Sequence, residues 1–247
     1  MEKYGLIGYP LGHSFSKNYF NQKFVDENMD AVYENYEIAT IDSLLEIVDS
    51  NPELRGLNVT IPYKEKVISF LDNISPEARA IGAVNVIKVE HQGNETILKG
   101  YNSDVIGFTQ SIHPQLESYH KKALILGTGG ASKAIDFGLK SLGLETVFVS
   151  RYERPGTIQY SDVTPDIVKE YNVIVNCTPC GMYPHVDECP LLPYEAMNSC
   201  NLLYDLIYNP DETLFLKKGK EQGASTCNGL EMLLLQAFAS WEFWNDK

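Results

Sequence analysis

The chain has no basic run longer than Lys121-Lys122, or Lys217-Lys218 with Lys220 nearby, and carries a net charge of −13 over 247 residues. Phosphate chains are bound by clustered Lys and Arg, so this composition argues against a nucleic-acid backbone or an anionic membrane as partner. No apolar run approaches the ~18 residues of a membrane span; the stretch Met232 to Leu235 is far too short. Met1-Glu2-Lys3-Tyr4-Gly5 enters a strand at once, with no charged leader ahead of an apolar core, and the expectation is a cytoplasmic protein. Cysteine is scarce. Cys177, Cys180, Cys189, Cys200 and Cys227 make an odd, unevenly spaced set of 5, poor material for a disulfide framework. Repeats and low-complexity segments are absent. What the chain does have is core: 44% apolar and 21% charged residues suit a globular protein of one large domain or two ordinary ones.

Along the chain, residues 3–9 read as a buried strand that ends in the turn Tyr9-Pro10-Leu11-Gly12. Tyr19, Phe20, Phe24 and Val25 have helical spacing from Ser16 to about Glu27. Residues 32–38 alternate as a strand, Thr40 to Asp49 is a helix, and Leu57 to Ile61 is a strand. Short helices are expected over 64–71 and 76–81, then a hairpin of Asn85–Val89 and Thr96–Gly100 around Gln92-Gly93-Asn94. A helix starts at Asp104. From Lys122 onward the pattern becomes βαβ, with strands at Lys122–Leu126, Glu145–Ser150, Val173–Asn176 and Leu202–Leu206, which implies a parallel sheet covered by helices. Between Tyr152 and Pro165 no helix is expected. Leu230 to Trp244 is one amphipathic helix.

Asn58-Val59-Thr60-Ile61-Pro62-Tyr63-Lys64 carries the most chemistry. Pro62 stops an apolar strand, Asn58 and Thr60 stand two apart and share a face, and Lys64 follows at the strand end. Tyr101-Asn102-Ser103-Asp104 is a second polar strand end. A lysine and an aspartate so placed are what an acid/base dyad needs.

The run Gly127-Thr128-Gly129-Gly130-Ala131-Ser132 lies between a strand and a helix, the arrangement that holds a dinucleotide pyrophosphate on backbone N–H groups. Ser132 stands where the usual third glycine would be. About twenty residues past such glycines, NAD enzymes place a carboxylate for the ribose 2′-hydroxyl. Here Ser150 and Arg151 occupy the strand end, with Arg154 beyond Glu153, which suits a 2′-phosphate and hence NADP. Cys177-Thr178-Pro179-Cys180 has the spacing of a redox pair, yet Gly181 and Pro184 work against the helix that lowers a thiol pKa. Small side chains in a tight loop account for it. His91, His113, His120 and His185 show no ligand spacing and no metal is expected; His13 reads as structural.

Together these motifs resemble the shikimate dehydrogenase family, from Tyr4 to about Trp241. The carriers are the segment from Gly8 to Ser16, Asn58 to Lys64, Gly82-Ala83-Val84-Asn85, Asn102-Ser103-Asp104, Gly127 to Ser132 with Ser150-Arg151, Asn176 to Met182, Tyr204 to Pro210, and Asn228-Gly229 with Met232, Gln236 and Ala237. The resemblance implies an α/β fold. An N-terminal substrate domain would span 1–103, completed by the helix 229–247 packing back on it, and a Rossmann-type NADP-binding domain would span 104–228. It implies the NADP-dependent, reversible reduction of 3-dehydroshikimate to shikimate on the route to chorismate and the aromatic amino acids. Lys64 and Asp104 would be the catalytic pair. Ser14, Ser16 and Tyr208 would bind the substrate carboxylate, and Asn58, Thr60, Asn85, Asp104 and Gln236 its hydroxyls. Gly127, Gly129, Gly130, Ala131, Ser150, Arg151 and Thr178 would hold the cofactor, with Leu206 and Gly229 beside the nicotinamide. The expected partners are these small molecules, with the chain a monomer or a homodimer. Lys17, Val105 and Tyr152 depart from the family pattern, where a proline, a glycine and a threonine are frequent. Other readings are an NAD-using quinate/shikimate dehydrogenase, which Ser150-Arg151 disfavours, and a metabolite sensor, which would lack the lysine or the aspartate.

Overall fold

The computed structural model describes residues 1–12, 15–93 and 95–246. The chain divides into two compact units, Met1–Ser103 with Ala237–Lys247, and Asp104–Gln236. In chain order the first unit contains β1 (Glu2–Gly8), α1 (Phe15–Asp26), β2 (Ala31–Glu37), α2 (Ser43–Asp49), β3 (Leu54–Val59), β4 (Asn73–Ile74), α3 (Pro76–Ile81), β5 (Val86–Gln92) and β6 (Glu95–Tyr101). The second contains α4 (Asp104–Ile112), β7 (Lys122–Leu126), α5 (Gly130–Ser141), β8 (Glu145–Ser150), β9 (Thr157–Gln159), α6 (Pro165–Glu170), β10 (Val173–Asn176), β11 (Leu202–Asp205), α7 (Leu214–Glu221) and β12 (Ser225–Cys227). The last helix, α8 (Leu230–Asn245), begins in the second unit and ends in the first.

The first sheet has the order β2-β1-β3-β5-β6-β4. Its β1, β2 and β3 run parallel, β5 pairs antiparallel with β3, and β6 returns antiparallel to β5 as the second strand of a hairpin. Tyr4 is in register with Tyr33 and Gly56, and Leu6 with Asn58, so strand alternation puts Tyr4, Tyr33, Gly56 and Asn58 on one face. The other face carries Ile7, Leu57 and Val59, which pack with Leu44 and Val48 of α2. Over the first face lie α1 and the C-terminal half of α8, with Tyr4, Phe20, Phe24, Tyr33 and Trp244 as an aromatic cluster. The Trp244 indole presses on Gly56, where a side chain would collide with it, and its Nε1–H donates to the Ile87 carbonyl at 3.0 Å. The C-terminal helix therefore does pack back on the first sheet.

The second sheet is parallel throughout, in the order β12-β11-β10-β7-β8-β9. Counted from β7, that is the doubly wound order of the Rossmann fold. Every residue of β10 and β11 is buried, as in sheets covered on both faces. The strand order reverses between β7 and β10, so the crevice where such folds bind ligands opens beyond Leu126 and Asn176.

Several short elements differ from the sequence reading. Residues 64–71 contain a single 3-10 turn, Lys66–Phe70, rather than an α-helix. The stretch after Tyr152 holds β9 and a 3-10 turn at Tyr160–Asp162, and α6 starts at Pro165. β11 ends at Asp205, one residue early. Among the described residues no helix is long and apolar enough to cross a membrane.

Candidate active site

At the C-terminal end of β3 the aromatic face of the first sheet turns polar. Asn58 receives a hydrogen bond from the Tyr33 hydroxyl on Oδ1 at 2.8 Å, and its Nδ2 donates to the Asn85 carbonyl at 3.3 Å and to Ser240 Oγ at 3.0 Å. Asn85 is buried. Its Nδ2 donates to Ser103 Oγ at 3.0 Å, and its Oδ1 accepts the Ser103 N–H at 2.6 Å. Ser103 and Ser240 hydroxyls meet at 3.1 Å, and Asn102 Nδ2 donates to the Ala83 carbonyl at 2.9 Å. Buried polar groups must be paired, and here the pairing fixes the end of three strands and a helix relative to one another.

The loop beyond β3 is equally determined. The Thr60 N–H bonds to Ile7 O at 2.9 Å, and the Tyr63 N–H bonds back to Thr60 O at 2.9 Å. Tyr63 is buried and its hydroxyl donates to Ile38 O at 2.6 Å. The Lys64 carbonyl accepts the Val84 N–H at 2.7 Å. Thr60 and Lys64 thus leave a loop anchored on both sides, close in the chain to Asn58 and next to the Asn85 strand. The structure brings Asn58 and Asn85 into one hydrogen-bonded group with Tyr33 and Ser240, and the Ser16 side chain stands beside Tyr33. Ser14 and His13 lie outside the described residues.

In the second unit Asp104 is buried at the first residue of α4. Three residues on, Gly107 lets α4 cross the start of α8 closely: a side-chain carbon there would stand 2.5 Å from Met232 O and 3.1 Å from Gln236 Cβ. Asp104 and Gln236 consequently belong to two helices in direct contact. Tyr208 is more than a third exposed, and burial of its remainder raises its phenol, which keeps it a hydrogen-bond donor at neutral pH.

The glycine loop leaves β7 with Gly127 at φ 103°, a left-handed conformation that favours glycine. A side-chain carbon on Gly127 would also meet Thr178 Cγ2 at 3.0 Å, so the loops after β7 and β10 touch at the switch point. Gly129 precedes the 12-residue helix α5, and a side-chain carbon built there meets no atom within 4 Å. No protein atom therefore fills the space beside Gly129 at the helix start, the setting for an anion. Ser132, in place of a third glycine, is buried and donates to Gly129 O at 2.6 Å. Across the loop, Arg154 Nη1 donates to Thr128 Oγ1 at 3.2 Å. Ser150 is buried at the end of β8 and its Oγ accepts the Tyr152 N–H at 3.2 Å. Arg151 is exposed, its guanidinium 5.9 Å from the Tyr152 ring centroid. No carboxylate takes the β8-end position.

Leu206 and Gly229 are held together. The Leu206 N–H bonds to Asn176 O at 3.0 Å and the Gly229 N–H to Ile207 O at 3.0 Å, and any side chain on Gly229 would collide with the Leu206 carbonyl. Only glycine permits that approach.

With this geometry in view, known proteins give a consistent picture. A family model described as the shikimate dehydrogenase substrate binding domain matches residues 6–87. The NADP(+) shikimate dehydrogenase of Carboxydothermus hydrogenoformans is 39% identical over 257 residues, covering 97% of this chain and 90% of the relative. The chain belongs to the shikimate dehydrogenase family. Among solved structures of that family, the chorismate mutase/shikimate 5-dehydrogenase fusion protein of Clostridium acetobutylicum is 37% identical, with a TM-score of 0.86 over 99% of this chain and 91% of that one. The enzyme of Thermus thermophilus, solved with NADP(H) and shikimate, is 28% identical, with a TM-score of 0.86 over 100% of this chain and 94% of that one.

Like its relatives in overall fold, this shikimate dehydrogenase family member has groups at the two strand ends that the sequence reading did not single out. Asp205 is fully buried, and its Oδ1 accepts from Asn176 Nδ2 and the Ile207 N–H, each at 3.0 Å, while Oδ2 accepts from Thr213 at 2.6 Å. Burial pushes this carboxyl up to about 6, against those hydrogen bonds, which pull it down. Asn176 in turn accepts the Thr178 N–H at 3.0 Å and its hydroxyl at 2.6 Å. The sequence signal was present: Asn176 and Asp205 each end an apolar strand, where a polar residue must find a partner. Tyr33 and Ser240 were also missed. Ser240 sits four residues after Gln236, on the same helix face. Cys177 and Cys180 stand in this loop with no helix starting at either, and burial raises both thiols, which opposes thiolate chemistry.

Proposed function

We propose that this chain is an NADP-dependent shikimate dehydrogenase, an oxidoreductase that reversibly reduces 3-dehydroshikimate to shikimate on the route to chorismate, working in the cytoplasm. The first unit would hold the substrate and the second the cofactor. The reading rests on one coincidence: relatives of that activity match the chain end to end, and the chain keeps Lys64, Asp104, the glycine loop and the Ser150-Arg151 strand end.

The residues present fit the cofactor. Open space at Gly129 before a long helix suits the pyrophosphate, and Arg151 with Arg154 beside a serine suits a 2′-phosphate. NADPH, when bound, supplies the hydride. Lys64 gives the proton to the oxygen that gains negative charge and stabilises that charge as it develops. Asp104 is its acid–base partner and accepts from a ring hydroxyl. Asn58, Thr60, Asn85 and Gln236 pair the remaining hydroxyls, and Ser14, Ser16 and Tyr208 bind the carboxylate. A site built of hydroxyl partners rejects analogues that leave those partners unpaired. Gly127, Gly129, Gly130, Ala131 and Thr178 cradle the pyrophosphate side, while Leu206 and Gly229 shape the nicotinamide end.

The test is a spectrophotometric assay with shikimate and NADP⁺, and separately NAD⁺. Growth of reduced-nicotinamide absorbance with NADP⁺ and little with NAD⁺ is expected. A folded protein that binds shikimate and turns over with neither would refute the reading.

A further inference from the structure

Tyr33 is a wholly buried side chain on β2, stacked on Phe20 with ring centroids 5.0 Å apart and planes 12° apart. Its hydroxyl donates to Asn58 Oδ1 at 2.8 Å, and the Ser16 side chain stands beside the same phenol, where it pulls the pKa down against burial. Burial holds the phenol well above its usual range, so it stays a donor at any working pH. A phenol has one proton to give. Because it goes to Asn58, the amide oxygen must face β2, and the amide nitrogen must face Asn85 O and Ser240 Oγ, as observed at 3.3 and 3.0 Å. Without the Tyr33 hydroxyl, Asn58 Oδ1 loses its donor, the Ser16 side chain loses a polar neighbour, and only the long 3.3 Å contact to the Asn85 carbonyl is left to favour this amide orientation over its flip.

We propose that Tyr33 is a positioning residue of the substrate site, one buried hydroxyl that sets the Ser16 hydroxyl and the Asn58 amide together. This role rests on the function proposed above, in which Ser16 meets the carboxylate and Asn58 a ring hydroxyl. The aromatic ring supplies rigidity, since it is locked between α1 and α8 by Phe20 and by Trp244, whose ring centroid lies 6.3 Å away. The hydroxyl supplies direction.

Tyr33→Phe keeps the stacked ring and removes only the oxygen. The expected result is a rise of about tenfold in KM for shikimate, the size of one lost hydrogen bond, with kcat and KM for NADP⁺ within about twofold of wild type. Ser16→Ala and the double variant complete a cycle, and the double variant should fall short of the product of the two single effects, because part of what Tyr33 does is done through Ser16. An unchanged KM for shikimate would overturn the role. So would additive effects of the two changes, or equal rises in both KM values with a fall in melting temperature, which would mark Tyr33 as a packing residue only. Wild-type protein inert toward shikimate overturns the function itself and this role with it; active wild type beside an unaltered Tyr33→Phe overturns the role alone.

Discussion

The two units present different materials to the ligands proposed for them. At the polar end of the first sheet the groups are side chains: Asn58, Asn85, Ser103 and Ser240 hydrogen-bond one another across residues distant in the chain. At the switch point of the second sheet the groups are mainly backbone: a left-handed Gly127, an open Gly129 and a Gly229 pressed on the Leu206 carbonyl. The difference follows from the ligands proposed for each. A ring with several hydroxyls and a carboxylate is recognised by many directed donors and acceptors, each of which must be held in orientation. A pyrophosphate is recognised by N–H groups that every residue but proline has, provided no side chain blocks the approach. One site is therefore vulnerable to loss of a polar atom, the other to gain of a carbon.

The largest effect that sharpens this contrast is on chemistry. Lys64→Ala should lower kcat by roughly a hundred- to ten-thousandfold, the usual range for a general acid, with a much smaller rise in KM. Steady-state kinetics with shikimate and NADP⁺ checks it, and full kcat would remove Lys64 from the mechanism. Next comes the gain of a carbon. Gly229→Ala forces a methyl group into the Leu206 carbonyl, and should destabilise the fold by about 1–3 kcal/mol and raise KM for NADP⁺. Thermal melting beside cofactor kinetics would show this, and an unshifted melting curve would mean the backbone yields there.

A third, smaller effect concerns cofactor choice. Arg151→Ala should cost NADP⁺ roughly ten- to a hundredfold in kcat/KM, the size of one charged hydrogen bond, while NAD⁺ is nearly unaffected. Equal losses for both cofactors would rule out a 2′-phosphate contact. The last effect lies in pH dependence. The Asp205 carboxyl is raised to about 6 from an ordinary 3.8, so between those values the folded protein binds more protons than the unfolded chain. Its contribution to stability then falls as pH rises from about 4 to about 6 and is level above, by roughly 3 kcal/mol at most. Asp205→Asn should remove that slope. The difference between the two stability–pH curves isolates it from other carboxyls, and parallel curves would contradict the raised value.

Much of the second unit was legible because its signals are local. β7, the glycines and the start of α5 are consecutive in the chain, and buried parallel strands read as continuous apolar runs. The elements that escaped are short or interrupted. α6 has 6 residues, too few to display a helical period, although Thr164 before Pro165 is a cap followed by a first-turn proline, and the Thr164 hydroxyl does accept the Ile167 N–H. α7 contains Gly219, which breaks the pattern because it lies against Leu203. In the first unit the individual polar residues Asn58, Thr60 and Asn85 stood out, but their connection did not. Tyr33, Asn58, Ser103 and Ser240 meet only once β2, β3 and α8 are assembled, and no spacing in the sequence encodes that meeting. Asp205 escaped for the same reason: its partners Asn176 and Thr213 are brought to it by the fold.

The most direct test of the division between the two units is a crossed calorimetric titration. Gly129→Ala and Tyr33→Phe, each on the full chain, are titrated with NADP⁺ and separately with shikimate. The account predicts that Gly129→Ala weakens NADP⁺ and leaves shikimate binding intact, and that Tyr33→Phe does the reverse. Either variant weakening both ligands equally would contradict a backbone-built cofactor site and a side-chain-built substrate site.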